Sequence, residues 1–453
     1  MSRVANEFGA WASQVRWDDL PSDIQHHART LWMDSFGCML LGSHHPETRA
    51  LAAMLEQRSP DGRLAAAVGP TQRLQAADAV LLNGLAMGVD VYDGGNVASR
   101  GHVAGYVMPA VLTAAELTGA TFGRALAAFV VGYEVAARIG YAGPLRPALH
   151  PSGTWGMVGA AAAVGYLRGM SASELALVME LAANLTLATS WDAAVHGANV
   201  RSLYATMPSY LGTLAADLSS AGFRGGPSSI EVTFGEISST EFVAERALAD
   251  LGSGYVMLQS YSKRYPNCRN FHGALDAAFA AREALPLPFD AERDVVRVGT
   301  DMIAMRDNAG VHADSPLAAR ESLPICIAMA LIYGRFTPEM YLAGDYARED
   351  VVRLARRIHA AEAPRPTPTA RPGWVEIAQR DGSTVRREVL SPSGDPTNPI
   401  PLEALREKFV ANARPIPDRD AMASADAMLN GPTDVSFADA FMRWLGATVT
   451  TAR

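Results

Sequence analysis

Apolar side chains recur every three or four positions through most of the first 220 residues, which is the spacing of helices that bury one face. The clearest run extends from Ile24 to Leu40, after the start signal Pro21-Ser22-Asp23 and before Gly42. The same spacing predicts further helices over residues 47–57, 74–88, 107–118, 122–140, 154–168, 173–187 and 203–221. Many of their interior positions are alanine or glycine, which lets helices approach closely. The pattern predicts a packed, all-helical domain.

The period changes after about residue 289. Residues 295–303 alternate as a strand does, and a hairpin is predicted where residues 374–378 and 384–390 flank the turn Arg380-Asp-Gly-Ser383. Helices are expected at 318–333 and 348–361 between these strands. This mixture indicates a smaller α+β domain.

Beyond Pro401 the helical spacing returns, over 402–413 and 438–445. We therefore predict a mainly α protein with two domains. The large helical domain would comprise residues 1–265 and 400–453, and residues 266–399 would form a smaller α+β lid. A length of 453 residues agrees with this division, because it exceeds the usual size of a single hydrophobic core.

Composition narrows the classes of function. The net charge of -8, with no basic stripe, argues against nucleic-acid binding. Cys38, Cys268 and Cys326 lie far apart and form no CxxC pair, so we expect neither an iron–sulfur cluster nor a structural zinc site. Few cysteines, the lack of a charged-then-apolar leader at residues 1–17 and the lack of a long uncharged apolar run indicate a cytoplasmic protein that does not enter a membrane.

The most informative segment is residues 90–105, which interrupts two apolar helical runs at 76–87 and 107–117. It contains Asp90, Asp93 and His102 among glycines and short polar residues. A carboxylate and an imidazole held between rigid helices can act as base and acid, so the segment suits proton transfer. A solvated turn between helices would give the same pattern.

Similar polar interruptions follow further along the chain, at Leu149–Thr154, His196–Arg201 and Ser262–His272. With these segments the chain resembles the MmgE/PrpD family, which includes 2-methylcitrate dehydratases, cis-aconitate decarboxylases and iminodisuccinate epimerases. The resemblance extends nearly end to end. Its other motifs are Asp34-Ser-Phe-Gly37, Asn83-Gly84, Ser322-Leu-Pro324, Gly394-Asp-Pro-Thr-Asn-Pro399 and Lys408-Phe409.

The resemblance implies roles for individual residues. Asp90 matches the aspartate that orients or deprotonates substrate, and His102 and His150 match acid–base histidines. Lys263 matches a carboxylate-binding lysine and is expected to be partly solvated in a cleft. These four are the predicted catalytic residues. The predicted substrate-binding residues are Asp93, Arg201, Tyr204, Arg264 and His272.

The chain also departs from the family pattern. Arg201 stands where many members have a lysine, and Gly94-Gly95 replaces the threonine or histidine that often follows the acidic motif. Arginine keeps the positive charge and cannot plausibly give up its proton, which favours a binding role over a proton relay. The other histidines match no motif and are expected at the surface: His26, His27, His44, His45, His312 and His359.

The leading hypothesis is a cofactor-independent, metal-free lyase, most directly a dehydratase, acting on a small di- or tricarboxylic acid such as a 2-methylcitrate-like hydroxy acid. An isomerase or epimerase, or a decarboxylase, would need a similar set of residues beside a carboxylate. A non-catalytic protein that binds polycarboxylates is a third possibility. The resemblance also implies a homodimer.

Overall fold

A computed structural model describes residues 2–58, 64–69, 73–301, 308–367, 369–415 and 420–446. Helices dominate the first half of the chain, as the apolar spacing predicts. In chain order they are α1 Arg3–Gln14, α2 Ser22–Gly42, α3 Pro46–Arg58, α4 Ala76–Gly88, α5 Val103–Leu117, α6 Phe122–Ala142, α7 Gly156–Leu167, α8 Ala172–Ala183, α9 Trp191–Val195, α10 Val200–Tyr204, α11 Met207–Ser220, α12 Ser229–Glu231 and α13 Ala244–Leu248.

The second half mixes helices and strands before it ends in helices. The helices are α14 His272–Glu283, α15 Pro316–Arg320, α16 Leu323–Tyr333, α17 Pro338–Leu342, α18 Glu349–Arg357, α19 Leu402–Ala413, α20 Ala421–Asn430 and α21 Phe437–Trp444. The strands of the chain are β1 Leu64–Ala65, β2 Leu74–Gln75, β3 Gly95–Asn96, β4 Ser260–Tyr261, β5 Val295–Thr300, β6 His359–Glu362, β7 Gly373–Ala378 and β8 Thr384–Val389. The predicted mainly α fold class is confirmed.

The larger apolar core is built from closely packed helices and edge-to-face aromatic rings. The Trp32 ring lies 5.6 Å from Phe129 and 6.0 Å from Phe437, which belongs to the C-terminal helix α21. Helices α6 and α7 touch backbone to backbone, because a Cβ added at Gly159 would lie 2.2 Å from the carbonyl oxygen of Gly132. The small residues seen in the sequence are therefore what allow these helices to pack.

One described helix, Phe122–Ala142, is long and apolar enough to cross a membrane by length and composition. Its apolar window is 94% buried inside the fold. The helix therefore has the surroundings of the central helix of a folded domain.

A second, separate core lies between α14, α16 and the four-stranded sheet, whose strand order is β6-β5-β7-β8. The predicted hairpin is confirmed, because β7 and β8 pair antiparallel across the Arg380–Ser383 turn. The helix predicted over 348–361 ends at Arg357, because residues 359–362 instead pair in parallel with β5. The last residues of the strand predicted over 295–303 lie outside the described residues.

Two more predicted helices are each divided in the structure. The run at 318–333 breaks at Ser322, which is extended ahead of Pro324 in the first turn of α16. The run at 203–221 becomes α10 and α11, with Pro208 in the first turn of α11. In both places proline suits a helix start better than a helix interior.

The C-terminal helices pack on the first helices of the chain. Lys408 on α19 forms an ion pair of 2.8 Å with Asp34 on α2, and a Cβ added at Gly37 would lie 2.9 Å from the Phe409 ring. Two motifs separated by more than 370 residues are thus one structural contact. Division of the chain at residues 265 and 399 stays a prediction.

Candidate active site

The acidic segment leaves α4 through a turn with an unusual backbone. Val91 has φ 53°, a left-handed conformation that is rare for a β-branched side chain. Its carbonyl oxygen accepts a hydrogen bond of 2.7 Å from the Nζ of Lys263, which comes from a distant part of the chain. Asp90 and Asp93, on either side of Val91, are both buried. The strained turn thus carries a carboxylate on each side of a carbonyl that binds a buried lysine.

Asp93 and His102 form the first functional pair. The Nδ1 of His102 lies 3.0 Å from the Oδ2 of Asp93 and 3.0 Å from the carbonyl oxygen of Gly94. Both neighbours only accept hydrogen bonds, so Nδ1 carries the proton and the lone pair of the neutral ring is on Nε2. His102 caps α5 and its side chain is 16% exposed. This arrangement orients an imidazole for proton transfer through Nε2.

The charge state of Asp93 depends on its cationic neighbours. Burial alone would raise the pKa of this carboxyl group. The His102 ring, with Lys263 and Arg201 further away, outweighs burial and lowers the pKa of Asp93 to about 2. The carboxylate is therefore ionised at neutral pH.

His150 has the opposite tautomer. Its Nδ1 accepts a hydrogen bond of 3.1 Å from the backbone N–H of Ser152, so the neutral ring carries its proton on Nε2. Burial, followed by the charges of Arg201 and His102, lowers the pKa of His150 well below its usual value. This residue therefore offers a neutral N–H donor, whereas neutral His102 offers a lone pair.

Two buried cations complete the group. Lys263 is 1% exposed, and burial lowers its pKa to about 8 although Asp93 opposes this effect. Our expectation of a partly solvated lysine was wrong, because the side chain is buried and its Nζ binds the carbonyl oxygen of Val91. Arg201 is 5% exposed, and within the described residues its Nε has no hydrogen-bond partner and its guanidinium has no carboxylate in ion-pair contact.

Aromatic rings form one wall beside His150. The Trp191 ring centroid lies 4.2 Å from His150, and the Tyr204 ring lies 6.0 Å from it. Tyr204 ends the short helix α10, which also carries Arg201. A small ligand held by Arg201 would therefore lie against an aromatic surface, an environment that strengthens charge interactions by reducing contact with water.

Asp90, a predicted catalytic residue, forms an ion pair that the sequence did not predict. Its Oδ1 lies 2.6 Å from an Nη of Arg320, and the two side chains are 4% and 1% exposed. The ion pair holds this carboxylate oxygen against a buried guanidinium. His45, which we expected at the surface, is buried, and burial lowers its pKa although Asp90 opposes this effect. The sequence contains no signal that would have identified Arg320 as this partner.

The structure places the last two predicted binding residues in different surroundings. The Arg264 side chain points to Ser393 at 3.5 Å, in a surface groove of about 820 Å³ whose lining also includes Lys263. His272 is buried against the Tyr265 ring, and burial and then Lys263 lower its pKa well below the usual value. His272 therefore lies near Lys263, whereas Arg264 faces outward.

The described residues contain no group of three or more His, Cys, Asp or Glu side chains arranged to hold a metal ion. The side chains that do converge combine proton carriers with cations: Asp93, His102, His150, Arg201 and Lys263. Such a set fits an anionic substrate that gains or loses a proton. Independence from metals and cofactors stays a prediction.

Comparison with known proteins identifies the family. The MmgE/PrpD N-terminal domain matches residues 6–239, and the MmgE/PrpD C-terminal domain matches residues 265–430. The chain therefore belongs to the MmgE/PrpD family, as its motifs indicate.

Several relatives have named activities. Cis-aconitate decarboxylase of Aspergillus terreus is 23% identical over 460 residues, covering 94% of this chain and 93% of that protein. Cis-aconitate decarboxylase of Mus musculus is 24% identical over 448 residues, covering 94% and 89%. The Homo sapiens protein of the same name is 25% identical over 378 residues, covering 78% and 76%.

Proposed function

We propose that this protein is a lyase that acts on a small di- or tricarboxylic acid, and that it releases carbon dioxide from an unsaturated tricarboxylate such as cis-aconitate. The observation that carries the proposal is the state of Arg201, a buried guanidinium without a carboxylate partner among the described residues. Arg201 is also close enough to Asp93 to help lower the pKa of that carboxyl group. Burying an unpaired cation is costly, so a negatively charged ligand is its natural counterpart. The names of the relatives support the choice of reaction.

Arg201 and Lys263 would hold the substrate carboxylates. Arginine presents a planar pair of donors to one carboxylate, and the Lys263 ammonium supplies a point charge to another. When the bond to the departing carboxylate breaks, its electron pair passes into the adjacent unsaturated carboxylate system. Fixed cations in a buried site stabilise this spreading negative charge without having to reorganise.

Proton transfer to carbon would be the task of His102. In its protonated form the ring is held by ionised Asp93 through Nδ1, so its Nε2–H is the proton that it can deliver. Loss of that proton leaves a neutral ring of the tautomer already fixed by Gly94 and Asp93. His150, held neutral with its proton on Nε2, would donate a hydrogen bond to a substrate oxygen.

Dehydration is the second candidate, and the tautomer of His150 favours it. Loss of water from a β-hydroxy acid needs a base at carbon and a donor at the departing hydroxyl group. Neutral His102 would take the proton through Nε2, and the Nε2–H of His150 would assist the hydroxyl. The cations would serve the same purpose as in decarboxylation, so the two reactions differ in which bond to carbon breaks.

Product analysis tests the proposal. Purified protein is incubated with ¹³C-labelled cis-aconitate or with 2-methylcitrate in D₂O, and products are followed by NMR. Labelled carbon dioxide and an alkene from cis-aconitate are expected. Water loss from 2-methylcitrate instead would select the dehydratase, and deuterium exchange without a net product would select an epimerase. Binding without any product would overturn the catalytic proposal.

Variants connect the product to the site. His102→Gln should abolish the reaction, whereas His196→Gln, at a histidine whose side chain is 68% exposed, should leave it unchanged. Equal activity in both would place the chemistry elsewhere. We retain two proposals, a homodimer, which the family resemblance implies, and a cytoplasmic location, which the small number of cysteines favours. Light scattering of the purified protein would measure its oligomeric state.

A further inference from the structure

The short helix α15, residues Pro316–Arg320, and its N-cap Ser315 contact three of the segments that carry the site. The first contact is the ion pair between Arg320 and Asp90, 2.6 Å long and almost completely buried. Asp90 begins the loop that leads through Val91 to Asp93. The guanidinium also lies 4.3 Å from the centre of the Tyr341 ring, which fixes its plane from the second domain.

The second contact uses the backbone of the same residue. The carbonyl oxygen of Arg320 accepts a hydrogen bond of 3.2 Å from the N–H of Cys268. Cys268 follows Lys263 on a segment with little regular structure. Arg320 therefore holds the acidic loop with its side chain and the lysine segment with its backbone.

The third contact is with the segment that leads to Arg201. Gly197 has φ 69°, and a Cβ added there would lie 2.8 Å from the Cβ of Ala318 and 2.6 Å from the Oγ of Ser315. The close approach is possible because residue 197 is glycine. A single helix of the second domain thus touches the neighbours of His102, of Lys263 and of Arg201.

We infer that Arg320, acting through Asp90, is a positioning residue that sets the distance between the Asp93–His102 pair and the cations of the site. This inference rests on the proposed function for what is being positioned. Val91 shows how the effect is transmitted: the Arg320 ion pair holds Asp90 before it, and Lys263 binds its carbonyl oxygen. Release of Asp90 would let the strained turn relax and move Asp93 away from Lys263.

Arginine suits this role better than lysine would. Its charge persists at every pH at which the protein is folded, and its planar group can stack on Tyr341 while it binds a carboxylate. Asp90 then contributes by holding the loop and does not exchange a proton with substrate. The inference therefore reassigns Asp90 from catalytic base to anchor of the loop.

A double-mutant cycle tests the inference. Asp90→Asn and Arg320→Met should each lower kcat by roughly a hundredfold, because a displacement of about 1 Å at reacting groups can cost that much. KM should change by less than about threefold, since Arg201 and Lys263 remain. The kcat of the double variant should be no lower than that of the less active single variant, because the two substitutions remove the same interaction.

The double variant also guards against misfolding. A single substitution leaves one buried charge unpaired, whereas the double variant leaves none and should fold at least as well as Arg320→Met. Far-ultraviolet circular dichroism would verify this. A folded double variant with wild-type kcat would overturn the inference. A double variant whose loss of kcat equals the product of the two single losses would also overturn it.

Hydrogen exchange provides a measurement that does not require turnover. Amides of residues 89–104 should exchange faster in Asp90→Asn than in the wild type, whereas Arg168→Met, which breaks a surface ion pair with Asp217, should leave them unchanged. Unchanged exchange in Asp90→Asn would overturn the positioning role. A wild type that converted no polycarboxylate would contradict the proposed function. Hydrogen exchange would still show whether Arg320 holds the loop.

Discussion

Asp90 and Asp93 lie three positions apart in one loop and are both buried, and the family motif assigns a catalytic role to Asp90 and a substrate-binding role to Asp93. Their partners make them different. Asp93 faces His102, whose ring can gain and lose a proton, whereas Asp90 faces Arg320, whose guanidinium cannot. The first pair can therefore take part in chemistry and the second can hold a shape. The role of a buried carboxylate is set by the group that the fold brings to it.

The largest effect should come from removing the partner of Asp93. His102→Gln keeps a polar side chain of similar size but deletes the group that transfers the proton. We expect kcat to fall by about 10³-fold, within the range typical of a positioned acid or base. The melting temperature should change little, since His102 is partly solvent-exposed and leaves no large cavity. A variant with near-normal kcat would show that the two aspartates do not differ as proposed.

Removing the cation beside Asp93 should have the next largest effect. Lys263→Met keeps the buried volume and deletes the charge, so it is a better test than alanine at a site with 1% exposure. We expect kcat/KM to fall roughly a hundredfold, which corresponds to about 3 kcal/mol of transition-state stabilisation. Arg264→Met, which makes the same substitution at an exposed residue, provides the control for this loss of kcat/KM. Equal losses from both variants would contradict the placement of the site.

The pH dependence of binding should reveal the charge on Lys263. Its pKa is lowered by burial to about 8, so the cation is present at pH 7 and is lost as pH rises further. Calorimetric affinity for tricarballylate, an unreactive tricarboxylate, should decrease above pH 8 by up to about tenfold per unit. Lys263→Arg should bind with an affinity that is nearly constant over this range. A wild-type affinity that stayed level to pH 10 would contradict this assignment.

The lowered pKa of Lys263 should make stability increase with pH, whereas it makes ligand affinity decrease. Between pH 8 and the ordinary lysine value of 10.5, the unfolded chain holds the Lys263 proton more tightly than the folded protein does. The contribution of Lys263 to the free energy of unfolding should therefore increase with pH over this interval. Denaturant titrations of the wild type and Lys263→Met, compared at pH 7 and pH 9.5, would isolate that contribution.

The smallest effect should be at Arg264, which resembles Lys263 in sequence but not in surroundings. Its side chain faces a surface groove and contacts Ser393 at 3.5 Å. Arg264→Ala should change kcat/KM by less than about threefold, as expected for a surface substitution. Steady-state kinetics at two ionic strengths would separate a weak long-range attraction from direct contact. A loss as large as that of Lys263→Met would place Arg264 in the site.

Apolar spacing was sufficient to predict most of the helical domain, because helix periodicity is a local property. It failed where local signals conflict with tertiary pairing. Residues 359–362 continue a helical pattern but pair with β5, and proline starts new helices at α11 and α16. Three of the longer helices, α1, α14 and α20, were not predicted from the sequence.

The site itself could be predicted in part, because the family motifs are local in sequence. They pointed to Asp93, His102, His150, Arg201 and Lys263, which the structure brings together. The Asp90–Arg320 pair joins residues 230 positions apart, and no periodicity or spacing encodes it. His45 is also buried against expectation, and no pattern in its neighbouring sequence predicts this.

The left-handed backbone at Val91 has a practical consequence for protein engineering. Such a conformation costs a β-branched residue on the order of 1–3 kcal/mol, and glycine would adopt it freely. Val91→Gly would relieve that strain, but Val91 is 1% exposed, so the loss of its buried side chain and the greater freedom of glycine in the unfolded chain would cancel a comparable free energy. The replacement would also loosen the carbonyl that binds Lys263, so this position offers little thermostability and puts catalytic rate at risk.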